Sequence, residues 1–458
     1  MWGSHAPSDE PVHFWRGGGA VRASWRRAVA GVTAAVVAAA ALTGCTLVPD
    51  DDPNTLTYWA SNQATSVQAD YEILRPELEK FRQRTGITVD LQVISWSDLL
   101  NRLLSATVSG TGPDVVNIGN TWSVSLQATG GLIPFEGEAA EAIGGLDKFL
   151  ETSISASGAP GQVPTSVPLY GLAYGLFYNK QMFAEAGLQP PRTWAEFLTA
   201  AQRLTDPAAD RWGVTLSGAS YTENAHFAFI FGQQHGGDFF DAAGEPQFTQ
   251  PTIVAAVKQY LDLLAVQGLA SPSDAEQSTT QEAGAAFAAG KAGMFMAQNN
   301  AAATLEKNGM TPDEYGIAPM PILDPLPPGG RAINSHVAGI NIAAMVDGDN
   351  HAGALELIEF LTGPEEQEIL NEAFGSLPVL REDPGAAAPD PATELYRGVL
   401  AETAAPMPLI TNEAEFESTV GNAMRDLFGR AATGEQIDEQ AIRDALAGAE
   451  TSLRGSTS

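Results

Sequence analysis

Cys45 is the only cysteine in the 458-residue chain, and its setting says what a thiol there could do. Arg22, Arg26 and Arg27 precede a run of mostly small apolar residues that ends Leu42-Thr43-Gly44-Cys45. A charged stretch, an apolar stretch and a small-residue cut site, in that order, make a secretory leader. The run is too short and too alanine-rich for a membrane span, which takes ~20 apolar residues. A cysteine at the cut matches a bacterial lipobox, where it becomes the lipid-modified N-terminus. The alternative, a buried core thiol, has against it the acidic stretch that follows at once. A second grouping is Asn120, Thr121 and Trp122. Amide, hydroxyl and indole within three residues can give and take hydrogen bonds and cover an apolar ring face. For Trp122 the competing role is core packing. Catalytic chemistry finds no such support. His226 and His235 stand too far apart for a metal-ligand pair, and no Walker loop, GxSxG elbow or HExxH motif occurs. No enzyme activity, metal or cofactor is therefore expected.

Charge narrows the partners. The chain has 24 Lys and Arg against 55 Asp and Glu, a net charge of −31. Residues 1–45 carry four of the arginines and only two of the acids, so their removal leaves a more acidic remainder. Such a surface repels nucleic acid and anionic headgroups. Asp9, Glu10 and Gly17-Gly18-Gly19 do not suit the start of a leader, whereas Val21-Arg-Ala-Ser-Trp-Arg-Arg27 does. The expected translation start is therefore Val21. Residues 46–54, rich in Pro and Asp, read as a tether. The remainder exceeds one hydrophobic core, so two lobes are expected. With one cysteine, no internal disulfide can form.

The elements that must position these groups follow from periodicity. Thr55 to Ala60 is β-prone. Leu74, Leu78 and Phe81 mark a helix over 76–84, ended by Gly86. Ile87, Val89, Leu91 and Val93 alternate with polar residues as a strand does. Ser97-Asp98 opens a helix, and Asp114 to Ile118 is a short buried strand that delivers Asn120-Thr121-Trp122. Strand and helix alternate, so the expected class is α/β with mainly parallel sheets. Thr193-Trp-Ala-Glu196 is a capping box. Pro251 starts a helix that stops before Gly268. Leu355 to Leu361, then Pro364 onward, are helical. Residues 414–453 form two helices divided at Thr433-Gly434.

In this order several blocks resemble the sugar-capturing, maltose-binding-protein-like solute-binding proteins of bacterial ABC importers. They are Gly112-Pro-Asp-Val-Val-Asn117, Gly130-Gly-Leu-Ile-Pro134 and Val167-Pro-Leu-Tyr-Gly-Leu-Ala-Tyr-Gly-Leu-Phe-Tyr-Asn-Lys180. They continue with Pro191-Arg-Thr-Trp194, Phe287-Ala-Ala-Gly-Lys-Ala-Gly-Met294 and Val337-Ala-Gly-Ile-Asn341. The resemblance spans nearly all of the chain after the leader. It implies a two-lobed periplasmic-binding-protein-like α/β fold with a hinge and a ligand cleft between the lobes. Lobe one would be 55–172 and 319–375, and lobe two 173–318 and 376–458.

The resemblance also directs particular loops into the cleft. Its candidates for ligand binding are Ser61, Asn62, Gln63, Asn120, Thr121, Trp122, Tyr170, Tyr174, Tyr221, Glu223, Asn224, Asn299, Asn334, His336 and Phe416. Glu417 is the neighbouring choice at the last position, and Tyr178 and Trp194 are expected to pack. Relatives stack a ring where Gln298-Asn299-Asn300 stands, so polar contacts gain weight there. The implied function is a substrate-binding component that hands a di- or oligosaccharide to permease and ATPase subunits. It would act as a monomer, lipid-anchored through Cys45 to the outer face of the cytoplasmic membrane. Two alternatives remain open. Glycerophosphodiester binding would want a Lys or Arg, which these loops lack. A glycoside hydrolase would need two carboxylates across the cleft, with Glu223 and Glu417 as the only pair on offer.

Overall fold

In the computed structural model, residues 54–241, 243–381 and 391–456 are described. Cys45, the leader and nearly all of the tether lie outside them. Two sheets organise the chain. The first has the order β2-β1-β3-β10-β4, built from β1 (Thr55–Ser61), β2 (Thr88–Ile94), β3 (Val115–Gly119), β4 (Val167–Leu172) and β10 (Ala338–Ala344). The second has the order β6-β7-β5-β8, from β5 (Tyr174–Asn179), β6 (Trp212–Thr215), β7 (Ala292–Gln298) and β8 (Tyr315–Ala318). Each is mixed rather than mainly parallel. β1 runs parallel to β2 and β3, but β10 is antiparallel to β3 and β4. β6 and β7 are parallel, and β5 is antiparallel to β7 and β8. The reason is the crossings: β10 and β5 belong to chain segments that come over from the other lobe instead of from a local strand–helix–strand unit.

Each sheet has its own core. Leu56, Tyr58, Phe81, Val167, Ile342 and Leu357 are buried together at the first. Phe197, Val214, Phe231, Tyr260, Met294 and Leu446 are buried together at the second. The helix after β1 spans Val67–Thr85 and starts nine residues before the expected Pro76. Ser66 caps it by accepting from Ala69 N, and Pro76 sits on its exposed face. The Thr193–Glu196 capping box and the Pro251 start are both present.

Among the described residues, the chain passes between the lobes at three places. Ala173 alone separates β4 from β5; its N–H donates to Asn299 Oδ1 at 2.9 Å, and its carbonyl accepts from Asn299 N at 3.1 Å. The return lies later than the expected residue 319. Met320 and Ile333 are buried in the second lobe's core, and Ile322 exchanges backbone bonds with the Arg192–Trp194 segment. The chain re-enters the first sheet through β9 (Ser335–His336), which pairs with β11 (Ala404–Ala405). The last crossing is also later than the expected residue 376. Val379 and Leu380 pack in the first lobe's core, and Leu377 exchanges two backbone bonds with Gly171. Ala173, Leu377, Tyr396 and Val399 form a small apolar cluster at the hinge. No helix among the described residues is long and apolar enough to cross a membrane.

Candidate binding cleft

On the first lobe, the turn after β1 is stapled by Asp70, which is fully buried on the Val67–Thr85 helix. Its Oδ1 accepts from Gln63 N and Ala64 N, both at 3.0 Å, and its Oδ2 accepts from the Asn62 amide. Asn62 also donates to Ala64 O, and its own carbonyl accepts from Trp96 Nε1 at 2.8 Å. Ser61 Oγ accepts from Asn117 and, at 3.4 Å, from Gln63 Nε2. The 61–63 turn is therefore rigid, and much of its polar capacity serves the turn itself. After β3, a single 3-10 turn (Asn120–Trp122) carries the second group. Asn120 Nδ2 donates to Val337 O at 2.8 Å, tying that turn to the hinge return. Thr121 is buried beside it.

A continuous chain of side chains links the two lobes across the cleft. Trp122 Nε1 donates to Glu417 Oε2 at 2.8 Å. Glu417 Oε1 lies 3.2 Å from His226 Nε2, and His226 Nδ1 lies 2.8 Å from Tyr174 OH. The Tyr174 hydroxyl reaches Glu223 Oε1 at 2.9 Å. Trp122 comes from the first lobe, Tyr174 from the hinge strand β5, and Glu223 and His226 from the helix Tyr221–Gln234. Glu417 comes from the helix Glu413–Ala432, whose Ala414 N–H donates to Ser125 Oγ of the first lobe at 3.1 Å. The His336 ring lies 4.3 Å from that of His226 and 5.4 Å from that of Tyr174.

Burial sets the protonation of this cluster. It pushes the Glu223 carboxyl up, against the His226 charge and the Tyr174 bond. It pulls His226 down, but the bond and charge of Glu417 and the charge of Glu223 outweigh it, and the imidazole ends above its ordinary value. His336 is held well below the usual histidine range by burial and then by the His226 charge. Glu413, one turn before Glu417, is pushed far up by burial and by the Glu417 carboxylate.

The structure thus brings Trp122, Tyr174, Glu223 and His336 together with His226 and Glu417. Other candidates are placed elsewhere. Phe416 is fully buried among Phe239, Phe240 and Phe248, with centroids 4.8 to 5.7 Å away, because it points into the second lobe's core while Glu417 faces the cleft. Asn224 donates to Gly218 O and Gly421 O, bracing helix contacts. Tyr221 is half-buried on the same helix, its carbonyl against Gly421. Tyr170 packs on Phe374 at 5.1 Å in the first lobe. Asn299 holds the hinge, donating to Gly375 O at 2.6 Å besides its bonds to Ala173. Asn334 donates to Met320 O at 2.5 Å. Tyr178 and Trp194 pack on Phe183 and Phe197, as expected. His226 was missed because it was weighed only against His235. Its signal was its spacing of three from Glu223, which puts both on one helix face.

A hollow of about 340 Å³ lies away from the cleft, beside β6. Trp212, Asp274 and Gln277 are among the residues lining it. Concavity alone therefore does not mark the interlobe site. Among the described residues, no group of three His, Cys, Asp or Glu could hold a metal ion.

Comparison with known proteins agrees with this architecture. A putative binding protein of Brucella abortus (BAB2_0491) is 23% identical over 374 residues, covering 81% of this chain and 87% of that protein. The diacetylchitobiose binding protein DasA of Streptomyces coelicolor is 23% identical, covering 71% of this chain and 73% of its own. Maltose-bound MalE3 of T. maritima superposes with a TM-score of 0.73 at 21% identity, over 88% of this chain and 99% of that one. That likeness is one of fold: two lobes and a hinge. The family model for bacterial extracellular solute-binding proteins matches residues 64–368, both lobes included, and the chain belongs to that family.

Proposed function

We propose that this chain is the capture subunit of an ABC importer for a sugar, a di- or oligosaccharide, taken up between the lobes and handed to permease and ATPase partners. The observation that carries this reading is the interlobe set of Trp122, Tyr174, Glu223, His226 and Glu417. It combines an indole, a phenol and buried groups that give and accept hydrogen bonds, where both lobes and the hinge come together. Closing the lobes over a ligand excludes water and strengthens those polar contacts. DasA and MalE3 are named for disaccharides, which favours a ligand of that size. Its relatives are binding proteins, and the carboxylates Glu223 and Glu417 are both engaged in one network, which favours binding over glycoside hydrolysis.

The test is a thermal-shift panel of mono-, di- and oligosaccharides on the chain without residues 1–45. A true ligand at ~100 Kd adds about 2.7 kcal/mol and raises the melting temperature by a few degrees. A panel in which no sugar moves the melt would sink the reading.

The lipid anchor at Cys45 belongs to the same proposal. Cys45→Ser is expected to free the protein from the membrane fraction, because one or more acyl chains supply the attachment. The readout is fractionation with labelled fatty acid. A Cys45→Ser protein that stays wholly with the membranes would exclude the anchor.

A further inference from the structure

We propose that the cleft selects a sugar carrying a protonated amine, with Glu413, Glu417 and Glu223 as its anionic partners. This rests on the sugar-binding reading above and narrows it to a substrate class. Glu413 and Glu417 are four residues apart on one helix, so they share a face. Both are 1% exposed. Glu417 has two partners, Trp122 Nε1 and His226 Nε2. Neither oxygen of Glu413 finds a donor, and the side chain within bonding reach is the Glu417 carboxyl, with which it can share a proton.

An ionised carboxylate buried without counter-charge is costly, and two carboxylates side by side are costlier. Such a pair is relieved either by a proton held between them or by a cation. Burial and the Glu417 charge raise the proton affinity of Glu413 strongly, the response expected when no cation is present. Glu223, 7% exposed, has only neutral Tyr174 OH in bonding contact.

A second, separate sign of a ligand is His336. It is 1% exposed, and neither ring nitrogen completes a hydrogen bond, the Val337 backbone bearing on the ring only weakly. Burial and His226 keep this imidazole neutral, so it can accept one hydrogen bond and donate another. The titratable groups facing the carboxylates are His226, His336, Tyr174, Tyr221, Tyr260 and Glu415. Lysine and arginine are absent from that set.

An ammonium donates three N–H bonds and adds a positive charge to the one His226 can carry, so it can bridge Glu413 and Glu417 at once. A hydroxyl brings one donor and no charge. The −31 net charge of the chain draws cations toward it and disfavours phosphorylated sugars.

The experiment uses sugars in hydroxy/amino pairs: glucose with glucosamine, and cellobiose with its 2-amino counterpart chitobiose. Affinities are measured by calorimetry near pH 5 and near pH 7. The amino member should bind at least about tenfold more tightly near pH 7, where an ion pair is available. Its lead should shrink as pH falls, because protons on the raised carboxyls of Glu413 and Glu223 compete with the cation. Glu413→Gln should abolish the lead while the chain still melts cooperatively. If that variant does not fold, Glu223→Gln gives the same reading. A neutral member that binds as well as its amino partner, or a lead untouched in a folded Glu413→Gln chain, overturns the proposal and leaves the sugar reading standing. If no sugar in this set or in the wider panel binds, both fall together.

Discussion

Trp122→Ala is expected to lower stability by about 3–5 kcal/mol, with a fall in melting temperature as its first sign. Trp122 is 1% exposed. Its ring meets Trp96 edge-on at 5.4 Å and packs in one cluster with Leu126 and with Ala414 of the other lobe. Truncation would leave a cavity there, and would also strip Glu417 Oε2 of its donor. Trp122→Phe keeps most of the volume and loses only the N–H, so about 1–3 kcal/mol is expected. A stacking role alone would instead weaken sugar binding by ~2 kcal/mol and leave the melt in place. Denaturant titration of both variants, alongside calorimetry, separates the two. A Trp122→Ala chain that unfolds at the wild-type midpoint would refute the packing role.

Stability should fall as pH rises from about 5 to about 8, and Asp274→Asn should flatten much of that fall. Asp274 is 3% exposed, and burial lifts its carboxyl to about 7 despite bonds from Leu216 N and Gln277 Nε2. The folded state therefore holds this proton to higher pH than the unfolded state does. Stability from the group is greatest below the ordinary carboxylate range and is lost as pH climbs toward 7. At 1.36 kcal/mol per unit, the loss from this residue is on the order of 3–4 kcal/mol. While the depressed His336 and His235 act against them below about 6.5, Asp70, Glu223 and Glu413 are raised for the same reason and act in the same direction. The raised His226 adds to it: its contribution is complete below the unfolded value near 6.5 and is lost as pH rises through the folded one. Asn at 274 can still accept from Leu216, and its amide can donate to Gln277 Oε1, which now lacks a partner. Melting curves at four pH values on both proteins give the slopes. Equal slopes, or a flat wild-type profile, would contradict the assignment.

Much of the fold was legible because its signals are local. The Thr193–Glu196 box, Pro251 at a helix start and the alternation from Ile87 to Val93 each depend on residues within one or two turns. The helix over 67–85 was only half visible. Pro76 reads as a helix start, but Ser66 supplies the real cap ten residues earlier, and the exposed face tolerates the proline. The lobe boundaries were displaced for another reason. The 319–334 segment is extended and loop-like, and its membership depends on Met320 and Ile333 reaching a core that no local pattern reveals.

The candidate site divides in the same way. Its chemistry was visible in the residue types: Trp122, Tyr174, Glu223 and His336 were all singled out, as was the choice between Phe416 and Glu417. What could not be read was which of those two faces the cleft. Adjacent helix positions point about 100° apart, and only the packing of Phe239, Phe240 and Phe248 around Phe416 decides it.

By itself, the sequence determined the α/β class, several helix ends, the acidic character and the shortlist of polar and aromatic groups. Each follows from short-range patterns or composition. The tertiary structure alone decided that both sheets are mixed, where the chain crosses between lobes, and that Trp122 bonds Glu417 across 295 residues of chain. Those depend on burial and on which distant partner satisfies a buried donor, and no local spacing encodes that choice.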